Sequence, residues 1–318
     1  MFALQLRMWL LMAVLFAVIY AVVVVVGAYL GVYDFYFYFV AALVMMFIQY
    51  MIGPKIVEWS MRVKYVTKEQ YPQLFAMVES LAKRAKIPTP KIGISELPIP
   101  NAFAFGRGIG DGRVCVTQGI LNLLNEEELK AVIGHELAHI KNRDVLTITL
   151  LSVIPMIMYR LAWHFMFYGR RNDRGGNGFF IGVVAFLFYF ITNLLVLYAS
   201  RVREYFADRG SMEMGNRPAA LASALYKLVY GSARMDRETI REAEGLKAFF
   251  ANDPSRAYHE IQELKALDLD KSGTIDMSEL AVLRHKKIHV TFGDRLMEAL
   301  STHPNMLKRI QQLSQYHA

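Results

Sequence analysis

The sequence predicts a mainly α membrane protein, with four transmembrane helices, a cytoplasmic α+β domain and a helix-loop-helix insertion near the carboxyl end. Three observations predict it. First, 54% of the 318 residues are hydrophobic, and four long apolar runs account for much of that share. Second, the basic residues gather at the ends of the first two runs, as they do where a chain crosses a bilayer with its basic flanks inside. Third, between the second and third runs the pattern switches between helical and strand periods. The expected organisation is a transmembrane hairpin over residues 1–54, a first part of the domain over 55–144, two further membrane segments over 145–200, and a second part over 201–318 with the insertion near 255–287.

The first run, Met8 to Tyr33, holds no charged residue. At about 25 residues it is long enough to span, and too long for the apolar core of a signal peptide. Asp34 and the aromatics Tyr33, Tyr36 and Tyr38 mark an interface. Phe35 to Ile52 is the second run and ends at Gly53-Pro54-Lys55. Arg7 precedes the first run, and Lys55, Arg62, Lys64 and Lys68 follow the second, so the amino terminus and the chain after Lys55 are expected to face the cytoplasm.

Thr67 with Gln70 offers a capping box for an amphipathic helix through about Lys86, with Leu74, Val78, Leu81 and Ala85 on one side. Lys91–Ser95, Ala102–Phe105 and Arg113–Thr117 read as strands of a small antiparallel sheet. The glycine-rich stretch Gly106 to Gly112 joins two of these strands and precedes no helix, which argues against a phosphate loop. Asn125 and Glu128 then form a capping box for a helix starting near Glu126. The third and fourth runs are Val145 to Tyr168, interrupted by Arg160 and His164, and Phe179 to Ser200. Arg170, Arg171 and Arg174 lie between them, against the charge rule for an external loop, and the same pattern also fits a shallow or partly re-entrant pair.

The chemistry centres on His135-Glu136-Leu137-Ala138-His139. Histidines at i and i+4 of one helix share a face and can converge on one ion, while Glu136 sits about 100° round from His135, placed to act as a base rather than a ligand. That spacing fits a zinc hydrolase, and two histidines leave a catalytic zinc one protein ligand short. Glu204 supplies it on a continuing helix after the fourth run, with Asp208 one turn further on the same face. Both segments reach the same membrane surface.

Taken with the paired amino-terminal runs, Pro100-Asn101-Ala102-Phe103-Ala104, Asn142-Arg143-Asp144 and Arg203-Glu204-Tyr205-Phe206-Ala207-Asp208, the sequence resembles the HtpX-like membrane metalloproteases, a family related to the CAAX prenyl proteases. The resemblance implies a zincin-like catalytic domain with zinc on His135, His139 and Glu204, Glu136 as catalytic base, and Asp208 supporting a liganding histidine. It also implies an endopeptidase acting on membrane proteins, misfolded ones included, in protein quality control. Ser301-Thr302-His303-Pro304 looks like a further family motif, in which His303 contacts substrate or steadies the oxyanion. The plainer reading leaves His303 exposed beside the start of the last helix. Asn101, Ala102 and Phe103 are candidates for an edge strand that pairs with an extended substrate.

Asp268 to Glu279 resembles an EF-hand loop: Asp268, Asp270, Ser272, Asp276 and Glu279 stand at the side-chain positions, Thr274 offers a carbonyl, and Gly273 stands at the sharp turn. Calcium is the expected ligand, and a polar connection between helices is the alternative. The single cysteine, Cys115, excludes an intramolecular disulfide and a CxxC metal site. The net charge of +8 is explained by membrane topology, since no basic helix or aromatic-interleaved basic patch points to nucleic acid. Expected partners are the bilayer and membrane-protein substrates. A non-catalytic membrane scaffold with a structural metal is the alternative function, and Glu136 argues against it because a structural site needs no base. A calcium-regulated channel would need polar residues along several runs, which the first two lack.

Overall fold

The computed structural model describes residues 47, 50–167, 177–233, 264, 267–285 and 292–316. The expected first membrane run, most of the second, the basic loop around Arg170 and the helix expected before the EF-hand-like loop lie outside them. The chain divides into two units, Met1–Ile52 with Leu146–Val202, and Gly53–Val145 with Arg203–Ala318. It is mostly helical with one small sheet.

A helix over residues 50–60 (α1), most of it in the second unit, continues through Gly53-Pro54, where the sequence suggests an end. Val57, and Met61 just past the helix, pack with Leu97, Phe103, Phe105 and the fully buried Cys115. The sheet contains β1 (Val63–Tyr65), β2 (Lys91–Ser95), β3 (Ala102–Gly106) and β4 (Gly112–Thr117) in the order β1-β2-β4-β3. It is mixed rather than antiparallel throughout, and β1 was not expected. The β3–β4 hairpin pairs Gly106 with Gly112, and β4 then slots between β3 and β2, where it runs parallel to β2 with Ile92 opposite Val114. That insertion leaves β3 at the edge.

Helix α2 (Pro72–Ala85) starts later than the Thr67 box implied. Gln70 does accept the Thr67 N–H at 3.0 Å, but the bond closes a turn. The helix begins at Pro72, whose missing N–H costs nothing in a first turn. Leu74, Met77, Val78, Leu81 and Ala82 form its buried face. The short α3 (Gln118–Leu123) is capped by the Thr117 hydroxyl.

Helix α4 (Glu126–Lys141) opens with the reciprocal cap the sequence indicates: Asn125 Oδ1 accepts the Glu128 N–H at 2.9 Å, and Glu128 Oε2 accepts the Asn125 N–H at 3.0 Å. Glu128 is buried, and it also binds Ser223 Oγ at 2.6 Å and Lys227 Nζ at 2.8 Å from α7 (Pro218–Ala233). One carboxylate thus caps α4 and ties it to its neighbour. Arg143, at φ 55°, breaks the chain direction before α5 (Asp144–Phe167).

Helix α6 runs unbroken from Asn177 to Glu213, so the expected fourth membrane segment is only its first part. Its stretch Gly178–Glu213 is, among the described residues, the one helix long and apolar enough to cross a membrane. Within the first unit α5 and α6 pack through Leu151, Ile154, Val196 and Ala199, while Phe180, Leu187 and Trp163 are exposed. The later part of α6 belongs to the second unit, which is completed by α8 (Met277–His285), α9 (Phe292–Ala299) and α10 (Met306–Leu313).

Small residues let α6 lie close against α4. A Cβ at Gly134 would stand 2.3 Å from the Asn216 amide and 2.8 Å from the Ser211 hydroxyl, and one at Gly210 would stand 2.5 Å from Ala138 Cβ. The Ser211 hydroxyl, in this narrow space, donates to the Ala131 carbonyl at 2.7 Å. Gly210→Val should therefore force the helices apart and lower stability by about 1–3 kcal/mol. Gly53→Ala, whose Cβ meets nothing within 4 Å, should leave stability unchanged or slightly raised. Denaturant titration of both variants in the same detergent checks this; equal stabilities would show that the contact has slack.

Candidate metal centre

The buried face of α4 presents His135 and His139 one turn apart, with their Nε2 atoms 3.1 Å from each other. From α6, Glu204 brings Oε2 to 3.6 Å from His135 Nε2 and Oε1 to 3.5 Å from His139 Nε2. A tetrahedral ion with bonds of about 2.05 Å needs ligand atoms about 3.4 Å apart, so the triangle has the size of a metal site. Four buried carboxylates, Glu136, Asp144, Glu204 and Asp208, surround the site with the two guanidiniums of Arg203 and Arg309.

Each histidine turns its other nitrogen to a carboxylate, which fixes Nε2 as the free ligand atom. His135 Nδ1 donates to Asp208 Oδ1 at 2.8 Å, and His139 Nδ1 donates to Asp144 Oδ2 at 2.5 Å. The sequence could not say which histidine Asp208 supports; it is His135. In the sequence Asp144 stands out only as part of the Asn142-Arg143-Asp144 motif. Its position five residues beyond His139, across the break at Arg143, lets it reach back, and Arg203 holds its other oxygen.

Arg309 on α10 was missed altogether. Its side chain is fully buried and forks onto Asp208, Nη2 to Oδ1 at 2.6 Å and Nε to Oδ2 at 3.0 Å, while Nη1 lies 3.0 Å from Glu204 Oε2. A signal did exist: Arg309 falls on the same face of α10 as the buried Met306, Ile310 and Leu313. An arginine on the apolar face of a short helix calls for a buried anionic partner.

Glu136 is buried beside the histidines, and its carboxylate accepts the Ala104 N–H of β3. Burial pushes its pKa above the usual carboxylate value, against the opposing pull of His135 and His139. Of the three strand residues singled out, Asn101 is buried and donates its N–H to the Thr117 hydroxyl at 2.8 Å. Ala102 and Phe103 lie on β3 with their side chains buried, so backbone, not the Phe103 ring, is what this edge can offer.

His303 is not the exposed helix-start residue of the plainer reading. Both its ring nitrogens are buried without a hydrogen-bond partner, and Nδ1 lies 3.5 Å from Glu204 Oε2, too far for a good bond. The helix start belongs to Asn305, whose Oδ1 accepts the Leu307 N–H at 2.9 Å.

In the EF-hand-like loop, carboxylate oxygens of Asp268, Asp270 and Glu279 lie within 4.8 Å of one another. Asp268 accepts the N–H groups of Ser272 and Gly273, both at 2.9 Å, and Gly273 takes φ +78° at the turn. Ser272 and Thr274 meet through their hydroxyls at 2.9 Å. Asp276 stands outside the acidic group. It makes a capping box with Glu279 at the start of α8, Oδ1 accepting the Glu279 N–H at 2.9 Å and Glu279 Oε2 accepting the Asp276 N–H at 3.0 Å.

Residues 68–317 match the model of peptidase family M48. A protease HtpX homolog of Methanothermobacter thermautotrophicus is 51% identical over 213 residues, covering 66% of this chain and 81% of that protein. One from Moorella thermoacetica is 33% identical over 280 residues, covering 86% and 82%. Among solved structures, S. mikatae Ste24p superposes with a TM-score of 0.49 at 14% identity, covering 99% of this chain and 67% of that one. With a family match across most of its length and relatives of this identity, the chain belongs to peptidase family M48 and is an HtpX-like metalloprotease.

Proposed function

We propose that the chain is a zinc endopeptidase of the cell membrane, with four spans and a cytoplasmic catalytic domain formed by residues 55–144 and 201–318, that cleaves membrane proteins in protein quality control. The observation that carries the chemistry is the triangle of His135, His139 and Glu204 with the Glu136 carboxylate beside it. When bound to these three ligands, zinc supplies a Lewis acid that polarises the scissile carbonyl and acidifies water. Glu136 takes the proton of the attacking water and delivers it to the departing amine nitrogen as the C–N bond breaks. Asp208 and Asp144 keep the two imidazoles in one tautomer, and Arg309 keeps Asp208 and Glu204 in place. The His303 ring, whose nitrogens make no hydrogen bond although Nδ1 lies 3.5 Å from Glu204 Oε2, supports a role in donating to the oxyanion. The edge position of β3, whose Ala104 already reaches Glu136, supports pairing of an extended substrate in the segment Asn101, Ala102 and Phe103, with the Asn101 N–H and carbonyl themselves taken by Thr117. A scaffold with a structural metal has no use for a buried base, so that alternative is not favoured.

Glu136→Gln should keep zinc and lose at least about 100-fold in cleavage of casein, since only the base is removed. Glu204→Ala should lose the metal itself. Metal analysis alongside the cleavage assay separates them; full activity in the first or wild-type zinc affinity in the second would refute the assignment.

The four-span topology rests on the basic residues flanking the first two runs and on the length of α6. Cysteines introduced at Asn172 and Lys83 should label from opposite sides of sealed cells. Labelling from one side would remove the four-span arrangement.

The insertion near residues 255–287 is proposed to bind calcium at Asp268, Asp270, Ser272, Thr274, Asp276 and Glu279, supported by the loop sequence and by the gathered carboxylates. A lone loop should bind weakly, with a dissociation constant of about 10⁻⁴ M or poorer. Millimolar calcium should raise the melting temperature of the wild type and not of Glu279→Gln; identical melts with and without calcium would leave the loop as a helix cap only.

A further inference from the structure

Helix α1 has two apolar faces. Val57, with Met61 just beyond, is buried toward the sheet and Pro54 is buried as well, whereas Lys55, Ile56, Trp59 and Arg62 are exposed. Trp59 is 84% exposed, more than any other large apolar side chain described, and Ile56 one turn before it is 52% exposed. The only carboxylate in this segment, Glu58, is turned away: it pairs with Arg113 of β4 at 3.0 Å and accepts the Tyr65 hydroxyl. Among the described residues neither Lys55 nor Arg62 has a carboxylate partner. The open face is therefore an indole and a branched aliphatic chain set between two cations.

We infer that this face is an interfacial foot that docks on the headgroup layer of an anionic phospholipid bilayer. The inference rests on the membrane reading above and adds a second contact to the spans. Tryptophan favours the level where an apolar ring meets the polar headgroups, and lysine and arginine pair there with lipid phosphates while their stems lie on the apolar surface. The chain supplies continuity as well, because the apolar run Phe35 to Ile52 leads directly into α1. A second copy fits poorly: a two-fold contact through this face would set Lys55 and Arg62 against their own copies with no acidic residue to meet them. The consequence is local to the catalytic unit. The buried side of the foot touches Phe103 and Phe105 of β3, so the candidate substrate strand stands one helix thickness from the lipid surface, about 10 Å.

The test uses the full chain in lipid nanodiscs, with Trp9→Phe and Trp163→Phe so that Trp59 is the only tryptophan. The discs contain phosphatidylcholine with brominated acyl chains, with or without phosphatidylglycerol. Trp59 emission should be blue-shifted, quenched by the brominated chains and protected from acrylamide, all more strongly with phosphatidylglycerol. Lys55→Glu with Arg62→Glu should reverse the lipid effect in anionic discs while the protein stays incorporated. Incorporated protein whose Trp59 is quenched by acrylamide and not by lipid would overturn the foot alone. Protection from both quenchers would overturn it too, by showing that protein covers the face. Lipid quenching that ignores phosphatidylglycerol would overturn the anionic assignment, and a chain that does not enter discs at all would overturn the membrane reading with it.

Discussion

A fully buried guanidinium holds the catalytic unit of this protein together. Arg309 reaches from the last helix to Asp208 and Glu204 on α6, and Asp208 passes the constraint to His135 on α4. Three helices far apart in sequence are thereby joined through charges that water cannot reach. Each charge alone is costly to bury, and removing one partner from such a cluster typically costs about 3–5 kcal/mol because another is left unpaired. Stability is a secondary use for this arrangement. It holds Glu204 from one side and His135 from the other, and so positions two of the three residues of the ligand triangle.

Two polar networks and one contact of small residues set the distances on which this depends. At the amino end of α4, Glu128 both closes the cap and anchors α7. At its centre, Gly134 and Ala138 face Gly210 and Ser211, so that α6 approaches closely enough for Glu204 to face the histidines. At its carboxyl end the turn through Arg143 brings Asp144 back to His139. The same helix is thus clamped at start, middle and end. A shift of one methyl group at Gly210 would be felt directly at the ligands.

Local rules were the legible part of the sequence. The reciprocal cap of α4 and the i, i+4 histidines follow from interactions within one or two turns, and they stand where the residues put them. Long-range order was less legible. The sheet is mixed because β4 lies between β2 and β3, the two strands that precede it in the chain, a placement that alternation along one strand cannot encode. The start of α2 was misplaced because two start signals compete, and the fixed φ of Pro72 prevails over the Thr67 turn. Arg309 escaped because its partner lies 101 residues away and only its place on an apolar face betrays it. His303 was ambiguous for a related reason: its burial depends on how the segment before α10 packs, and the sequence near it says only that a helix is about to begin.

The EF-hand-like segment shows how one set of residues can satisfy two patterns. Asp276 and Glu279 stand at cation-ligand positions and also at the first and fourth positions of a capping box, and in this structure they make the box. Glu279 also accepts the Leu269 N–H at 2.6 Å, and Asp268 accepts two N–H groups and the Tyr226 hydroxyl. Backbone amides already relieve much of the repulsion among these carboxylates, so the loop holds its turn through its own bonds. That matters beyond the loop because α8 packs on α10, with Leu280 and Leu283 buried and Gln311 Nε2 donating to the Leu283 carbonyl at 3.2 Å. The helix that carries Arg309 leans on the helix that this loop caps, and the order of the metal centre therefore depends in part on a segment with no residue in it.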